Sequence, residues 1–298
     1  MTKNMTGRVT YSTMPSAAQR LLRIEVKQLG LGLGLAWGLV LGLVLLCAAT
    51  VAIVAWDYRA NAAHAFGFDT AKASTLATLP DAQIDRLRMA AAGGHDAAAL
   101  ATLQQAAQAG NVLAMRAAAS VLLLSAQKTE QLQGLSWAQL AAQKGDSGAQ
   151  YLLGKAFFDG HAALPADRQQ ARAWFASAAG QKNAKAAYFL GLIYQNAYGV
   201  KADAVQASRW FKQSADLGNP DAMFMLANAY VAGAGVPTDP ARAVQLYQAA
   251  AEQEHPLAAQ ALGYALRDGT LGLKRDSQQS QEMMVEVEHA LRHPRPVF

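Results

Sequence analysis

The chain has 298 residues, 52% of them hydrophobic, with 26 basic against 21 acidic side chains and a net charge of +5. The hydrophobic share exceeds the roughly 45–50% usual for a soluble domain, and a single cysteine, Cys47, excludes an intramolecular disulfide and paired-thiol redox chemistry. The basic excess sits in the first 28 residues, where Lys3, Arg8, Arg20, Arg23 and Lys27 face only Glu25. From Asp57 onward 21 bases meet 20 acids in mixed order, which excludes the clustered basic face that nucleic acid requires.

Residues 1–28 read as a basic cytoplasmic tail. From Leu29 to Trp56 there is no charged side chain, and a helix of that length would reach roughly 42 Å against a hydrocarbon core of about 30 Å. The stretch 29–56 is therefore expected to be one transmembrane helix, with Trp56 and Tyr58 at the headgroup level of its far end. The positive-inside bias puts the N-terminus in the cytoplasm and everything after Asp57 across an inner membrane, in the periplasm. A cleaved signal peptide has a much shorter apolar core, although Ala60-Asn61-Ala62 offers a cleavage-like site. A lipoprotein signal at Cys47 is disfavoured by the bulk of Leu46, and a buried soluble helix of this length would show a polar face. Gly30, Gly34, Gly38 and Gly42 recur every four residues on one helix face. Two readings of them stay open: self-association or docking through that face, or the ordinary abundance of glycine in membrane helices.

Residues 57–80, with Gly67, Thr70 and Ser74, read as a linker. A helix is predicted from Asp81, after Pro80, to about Ala92, with Ile84, Leu87 and Ala91 on its apolar face and Gly93-Gly94 closing it. Ala97 to Gln108 forms another. Gly110-Asn111 then makes a turn before a helix over Ala114 to Leu122, and Trp137, Ala141, Ala142 and Gly145 mark a further one, so that 81–145 reads as degenerate helical repeats.

Residues 146–275 repeat openly. Ala149-Gln-Tyr-Leu-Leu-Gly154, Ala186-Ala-Tyr-Phe-Leu-Gly191, Ala222-Met-Phe-Met-Leu-Ala227 and Ala258-Ala-Gln-Ala-Leu-Gly263 start 37, 36 and 36 residues apart, each followed three positions later by Phe157, Tyr194, Tyr230 or Leu266. Turn signals follow, as in Tyr198-Gly199-Val200 and Gly233-Ala234-Gly235-Val236. Asp167, Asp203 and Asp239 then suit helix starts, with Pro240 at a first helical position. Ala171, Trp174, Phe175, Ala178 and Ala179 fall on one helical face, as do Ala207, Trp210, Phe211, Ser214 and Ala215, and Ala243, Leu246, Tyr247, Ala250 and Ala251. Trp174 and Trp210 are expected to fill the wedge toward the neighbouring pair. A lone helix pair cannot bury such side chains, so the pairs must stack.

The order Ala-x-x-x-Leu-Gly-x-x-Tyr, then Gly-x-Gly-Val-x-x-Asp-x-x-x-Ala-x-x-Trp-Phe-x-x-Ala-Ala, resembles the Sel1-like repeat, a relative of the tetratricopeptide repeat. The resemblance implies an all-α fold, a right-handed α-solenoid of helical pairs preceded here by the one transmembrane helix. Ala227 departs from the pattern in place of Gly, and Ala163-Leu164 in place of Gly-Val. Beyond Asp276, Met283 and Met284 replace the aromatics and Glu288 stands where alanine was, so residues 276–298 read as a capping helix and tail with a polar outer face.

No nucleotide loop, zinc-protease pattern, paired-cysteine site or nucleophile elbow occurs, so no catalytic residue, metal or cofactor is expected. His289 and His293 lie four apart near Glu286, but lack an evident third ligand and read as an exposed tail. Tyr151, Tyr188 and Phe224 occupy equivalent places on successive first helices. Aromatics at helical spacing are most often core; in related arrays first helices also line the concave, partner-binding face, and aromatics suit hot spots there. The resemblance implies a membrane-embedded adaptor or scaffold with protein partners on its concave face. Its rivals are a structural subunit of a membrane secretion or envelope machine, and a cell-wall-related hydrolase of the kind to which some Sel1-like proteins have been linked.

Overall fold

A helix begins where a short polar side chain takes the free amide hydrogens of a first turn, and this chain supplies such a cap again and again. The computed structural model describes residues 70–160 and 164–292, which form thirteen α-helices and no β-sheet. In chain order they are α1 (Thr70–Ala77), α2 (Asp81–Gly93), α3 (Ala97–Gln108), α4 (Val112–Leu122), α5 (Lys128–Gln143), α6 (Ser147–Asp159) and α7 (Arg168–Gly180). Then follow α8 (Ala184–Gln195), α9 (Ala204–Asp216), α10 (Pro220–Ala232), α11 (Pro240–Ala251), α12 (Pro256–Asp268) and α13 (Ser277–Arg292).

Two alternating sets of caps set the rhythm. Asp167, Asp203 and Asp239 accept amide hydrogens at the starts of α7, α9 and α11, as their sequence positions predict. Asn111, Asp146, Asn183, Asn219 and His255 do the same for α4, α6, α8, α10 and α12. The even-numbered helices are the first members of the pairs and the odd-numbered ones the second.

Among the described residues packing runs chiefly between near neighbours. The substantial helix contacts join consecutive helices, or a helix to the next but one, as in α2 with α4, α4 with α6 and α6 with α8. This all-α solenoid therefore holds together by local interfaces, each worth little alone. Side chains also tie one pair to the next: Asn183 Nδ2 donates to Ser147 O at 3.3 Å, Gln213 Nε2 to Ala179 O at 2.9 Å, and Ser208 Oγ to Ala234 O at 2.7 Å.

Inside the pairs a small residue of the first helix lies under a large side chain of the second, most often a ring. Phe175 and Phe211 are fully buried, each worth about 1.5–3 kcal/mol of burial, and each packs closely against a glycine of the first helix. A methyl group added at Gly154 would sit 2.5 Å from Phe175 Cδ1, and one at Gly191 would collide with Phe211 in the same way. Where Ala227 replaces that glycine, the ring is Tyr247, whose hydroxyl donates to Asn228 Oδ1 at 2.5 Å; at Gly263 the cover is Met284, with Sδ 3.2 Å from the added methyl. Trp174 and Trp210 are only half-buried. Trp174 packs against the core cluster that runs from Ile84 to Leu153 and Trp210 against the one from Ala171 to Ile193, clusters that both include residues of the preceding pair, in keeping with a wedge position.

The stretch read as linker contains α1. Its position is fixed by tertiary contact: Leu76 and Leu79 pack against the first core cluster, and Asn111 Nδ2 donates to Ala77 O at 3.2 Å. Among the described residues no helix is long and apolar enough to cross a membrane. The span predicted over 29–56, with Gly30, Gly34, Gly38 and Gly42, lies outside the described residues.

Candidate interaction face

The fifth position after each first-helix cap falls on one line down the array. It holds Arg116, Tyr151, Tyr188, Phe224 and Gln260 on α4, α6, α8, α10 and α12 in turn. The three aromatics are neither core nor free surface. Each rests on the buried second-helix ring of its own pair, Tyr151 on Phe175 with centroids 6.0 Å apart, Tyr188 on Phe211 at 6.0 Å and Phe224 on Tyr247 at 5.8 Å. The near-constant spacing follows from the repeat geometry, and all three side chains keep partial exposure to solvent.

Phe189, the residue after Tyr188, closes the gap between neighbouring copies. Its ring stacks on Phe175 at 5.0 Å and meets Tyr151 at 5.9 Å, Phe158 at 5.4 Å and Tyr188 at 5.7 Å. Lys155 Nζ lies over the same ring, 5.6 Å from its centroid, while paired with Asp159. The result is an apolar strip edged by charge, in which Arg116 pairs with Asp146 at 3.0 Å and Asp221 with His255 at 3.3 Å.

Those carboxylates act on the phenols. Burial, then Asp159 and Asp221, push the Tyr151 hydroxyl up to about 12, and burial with Asp221 raises Tyr188 as well. Both are therefore neutral hydroxyl donors at ordinary pH. Tyr247 is raised by burial alone.

Sequence reasoning singled out Tyr151, Tyr188 and Phe224 but missed Phe189, Asp221 and His255. His255 is the informative omission. Its Nδ1 accepts the Ala258 amide at 3.1 Å, its Nε2 faces Asp221, and its ring stacks on Phe224 at 5.0 Å. The signal was its place three residues before Ala258, where Asp146, Asn183 and Asn219 stand in the other copies. No group of three or more metal-binding side chains occurs among the described residues, and His293 lies outside them.

Stacked helical pairs that expose one aromatic row define a repeat scaffold, a class whose working surface is an extended side of the array. The chain belongs to the Sel1 repeat family, whose pattern matches residues 125–146, 147–183, 184–219, 220–255 and 256–284. The match reaches upstream to include the Trp137 helix and downstream into α13. A Sel1 repeat protein from Oxalobacter formigenes is similar over 71% of this chain and 88% of its own, at 25% identity and a TM-score of 0.64. A protective antigen of uropathogenic Escherichia coli strains, displaying an SLR fold, is similar over 70% of this chain at 26% identity and a TM-score of 0.59; the match spans 45% of that antigen. No curated protein matches the chain. Sel1 repeat proteins generally mediate protein–protein interactions, and the scaffold is generally non-enzymatic.

Proposed function

We propose that this chain is a membrane-anchored adaptor that holds a protein partner on the row Tyr151, Tyr188 and Phe224. The observation that carries the reading is the row itself: three rings in register on α6, α8 and α10, each braced by a second-helix ring and each partly exposed. Braced aromatics lose little side-chain freedom on binding, which is what makes such rings effective anchors. In a right-handed superhelix of these pairs the row lies on the concave side. The uncharged run from Leu29 to Trp56 supports a single span, and the basic tail before it supports a cytoplasmic N-terminus with the array in the periplasm of the inner membrane. Anchoring confines the search for a partner to the membrane plane.

A photoreactive residue at position 188, expressed in intact cells, tests the reading. It should trap one reproducible protein, and Phe224→Ala in the same chain should abolish the adduct. The same probe at Ala176, exposed on α7, should trap nothing comparable. An identical pattern from both positions would remove the support for a recognition row.

The four-residue recurrence of Gly30, Gly34, Gly38 and Gly42 favours one further reading, a subunit of a larger membrane assembly joined through its span. Gly34→Ile with Gly38→Ile separates the two. A subunit loses its assembly on a native gel, whereas an adaptor keeps the crosslink at position 188.

A further inference from the structure

The strongest feature away from the aromatic row is a cleft of about 570 Å³ walled by the second helix α9 and the turn between α7 and α8. Trp210 and Leu217 give it an apolar wall, and Lys182, Arg209 and Lys212 stand around it with Asp216. Lys212 is neutralised by Asp216 at 2.6 Å. Lys182 and Arg209 are exposed and have no carboxylate partner among the described residues.

The repeats act as internal controls for these cations. Positions equivalent to Lys182, Arg209 and Lys212 hold Gly145, Ala173 and Ala176 at α7, and Gly218, Gln245 and Gln248 at α11. The framework thus has no need of a positive charge at any of the three. At α13 the first two become acidic, Glu254 and Glu282.

Lys182 also sits where the backbone resists a side chain. The residue before each first-helix cap adopts positive φ, with glycine at Gly110, Gly145 and Gly218 at 101°, 90° and 87°. Lys182 takes the same turn at 62°, a conformation that disfavours a residue with a Cβ by about 1 kcal/mol.

We infer that this cleft is a second docking surface, distinct from the aromatic row, and that its occupant is an acidic protein segment. An apolar side chain of that segment lies against Trp210 and Leu217, and its carboxylates meet Lys182 and Arg209. The two surfaces are on different helix sets, first helices for the row and α9 for the cleft, so one array holds two partners or two parts of one.

The test uses the full-length chain in detergent and a twelve-residue peptide alternating glutamate and leucine, with a neutral dye for anisotropy. Lys182→Gly, which the turn accepts, and Arg209→Gln should each weaken binding by about two- to fivefold. Lys182→Glu with Arg209→Glu should weaken it at least about tenfold; Glu254 shows that glutamate fits the same turn. Affinity should fall with added salt, and Tyr188→Ala should leave it unchanged. The inference is overturned if no binding is detected, if a peptide with glutamine in place of glutamate binds equally well, or if the double reversal leaves affinity intact. Unchanged circular dichroism in each variant keeps these outcomes separate from misfolding.

Discussion

Gly154→Ala tests the packing logic on which the array depends. The new methyl would lie 2.5 Å from Phe175 Cδ1, against about 3.5–4.0 Å for an unstrained carbon pair, so the ring must retreat by about 1 Å. It has nowhere to go: Phe175 is fully buried, stacked on Phe189 at 5.0 Å, with Tyr151 at 6.0 Å and Phe158 at 6.2 Å. Overpacking of this kind costs about 1–3 kcal/mol, and alanine returns up to about 1 kcal/mol of helix propensity over glycine. Because the ring is enclosed on every side, the upper part of the first range applies, leaving a net loss of about 1–2 kcal/mol. For a unit of this size that lowers Tm by roughly 2–8 °C. Gly180→Ala is the matched control, since nothing lies within 4 Å of its added methyl, and it should stabilise by about 0.5 kcal/mol. Thermal melts of both variants, with Gly154→Ala repeated in a Phe175→Leu background, read the effect directly. The smaller side chain should recover part of the loss in the double variant. The reasoning is refuted if Gly154→Ala raises Tm as Gly180→Ala does.

Three further outcomes follow from named contacts. His255→Asn should change stability by less than about 0.5 kcal/mol, because asparagine serves at Asn111, Asn183 and Asn219, whereas His255→Ala should cost about 1 kcal/mol by urea titration, leaving the Ala258 amide without its acceptor. Tyr151 keeps its proton to about 12 in the folded chain against 10.0 ordinarily, so the unfolded state releases that proton first. Stability should then fall as pH rises from 10 to 12, and Tyr151→Phe should flatten the slope in alkaline melts. Tyr188→Ala should weaken a partner trapped at the row by tenfold or more, the loss expected of a hot-spot ring, without lowering Tm by more than a few degrees.

Repetition made most of the fold legible. The recurrence of Ala149, Ala186, Ala222 and Ala258, with Asp167, Asp203 and Asp239 between them, located the helices of each pair, because caps and face residues are local features. Helix α3, at Ala97–Gln108, coincides with its sequence reading for the same reason. Helix α1 was not legible: eight residues with weak periodicity gain their order from Leu76 and Asn111, a contact 34 residues away. Tryptophan is the largest residue of the second-helix motif, yet the smaller ring beside it takes the centre, because only that ring faces the glycine.

The aromatic row was visible as a column of equivalent positions, whereas its charged border was not. Asp221 reaches Tyr151 and Tyr188 across two pairs, and His255 joins the border only because a cap in one copy abuts the first helix of another. The cleft beside Trp210 was hidden for a similar reason: Lys182 and Arg209 are 27 residues apart and meet only when α9 packs on the turn before α8.

Hydrogen exchange of the full-length chain, alone and with the protein trapped at position 188, tests the recognition claim most directly. Bound partner should slow exchange in α6, α8 and α10 and leave the outer turns of α7 and α11 unchanged. Protection confined to the second helices, or spread evenly along the array, would contradict it.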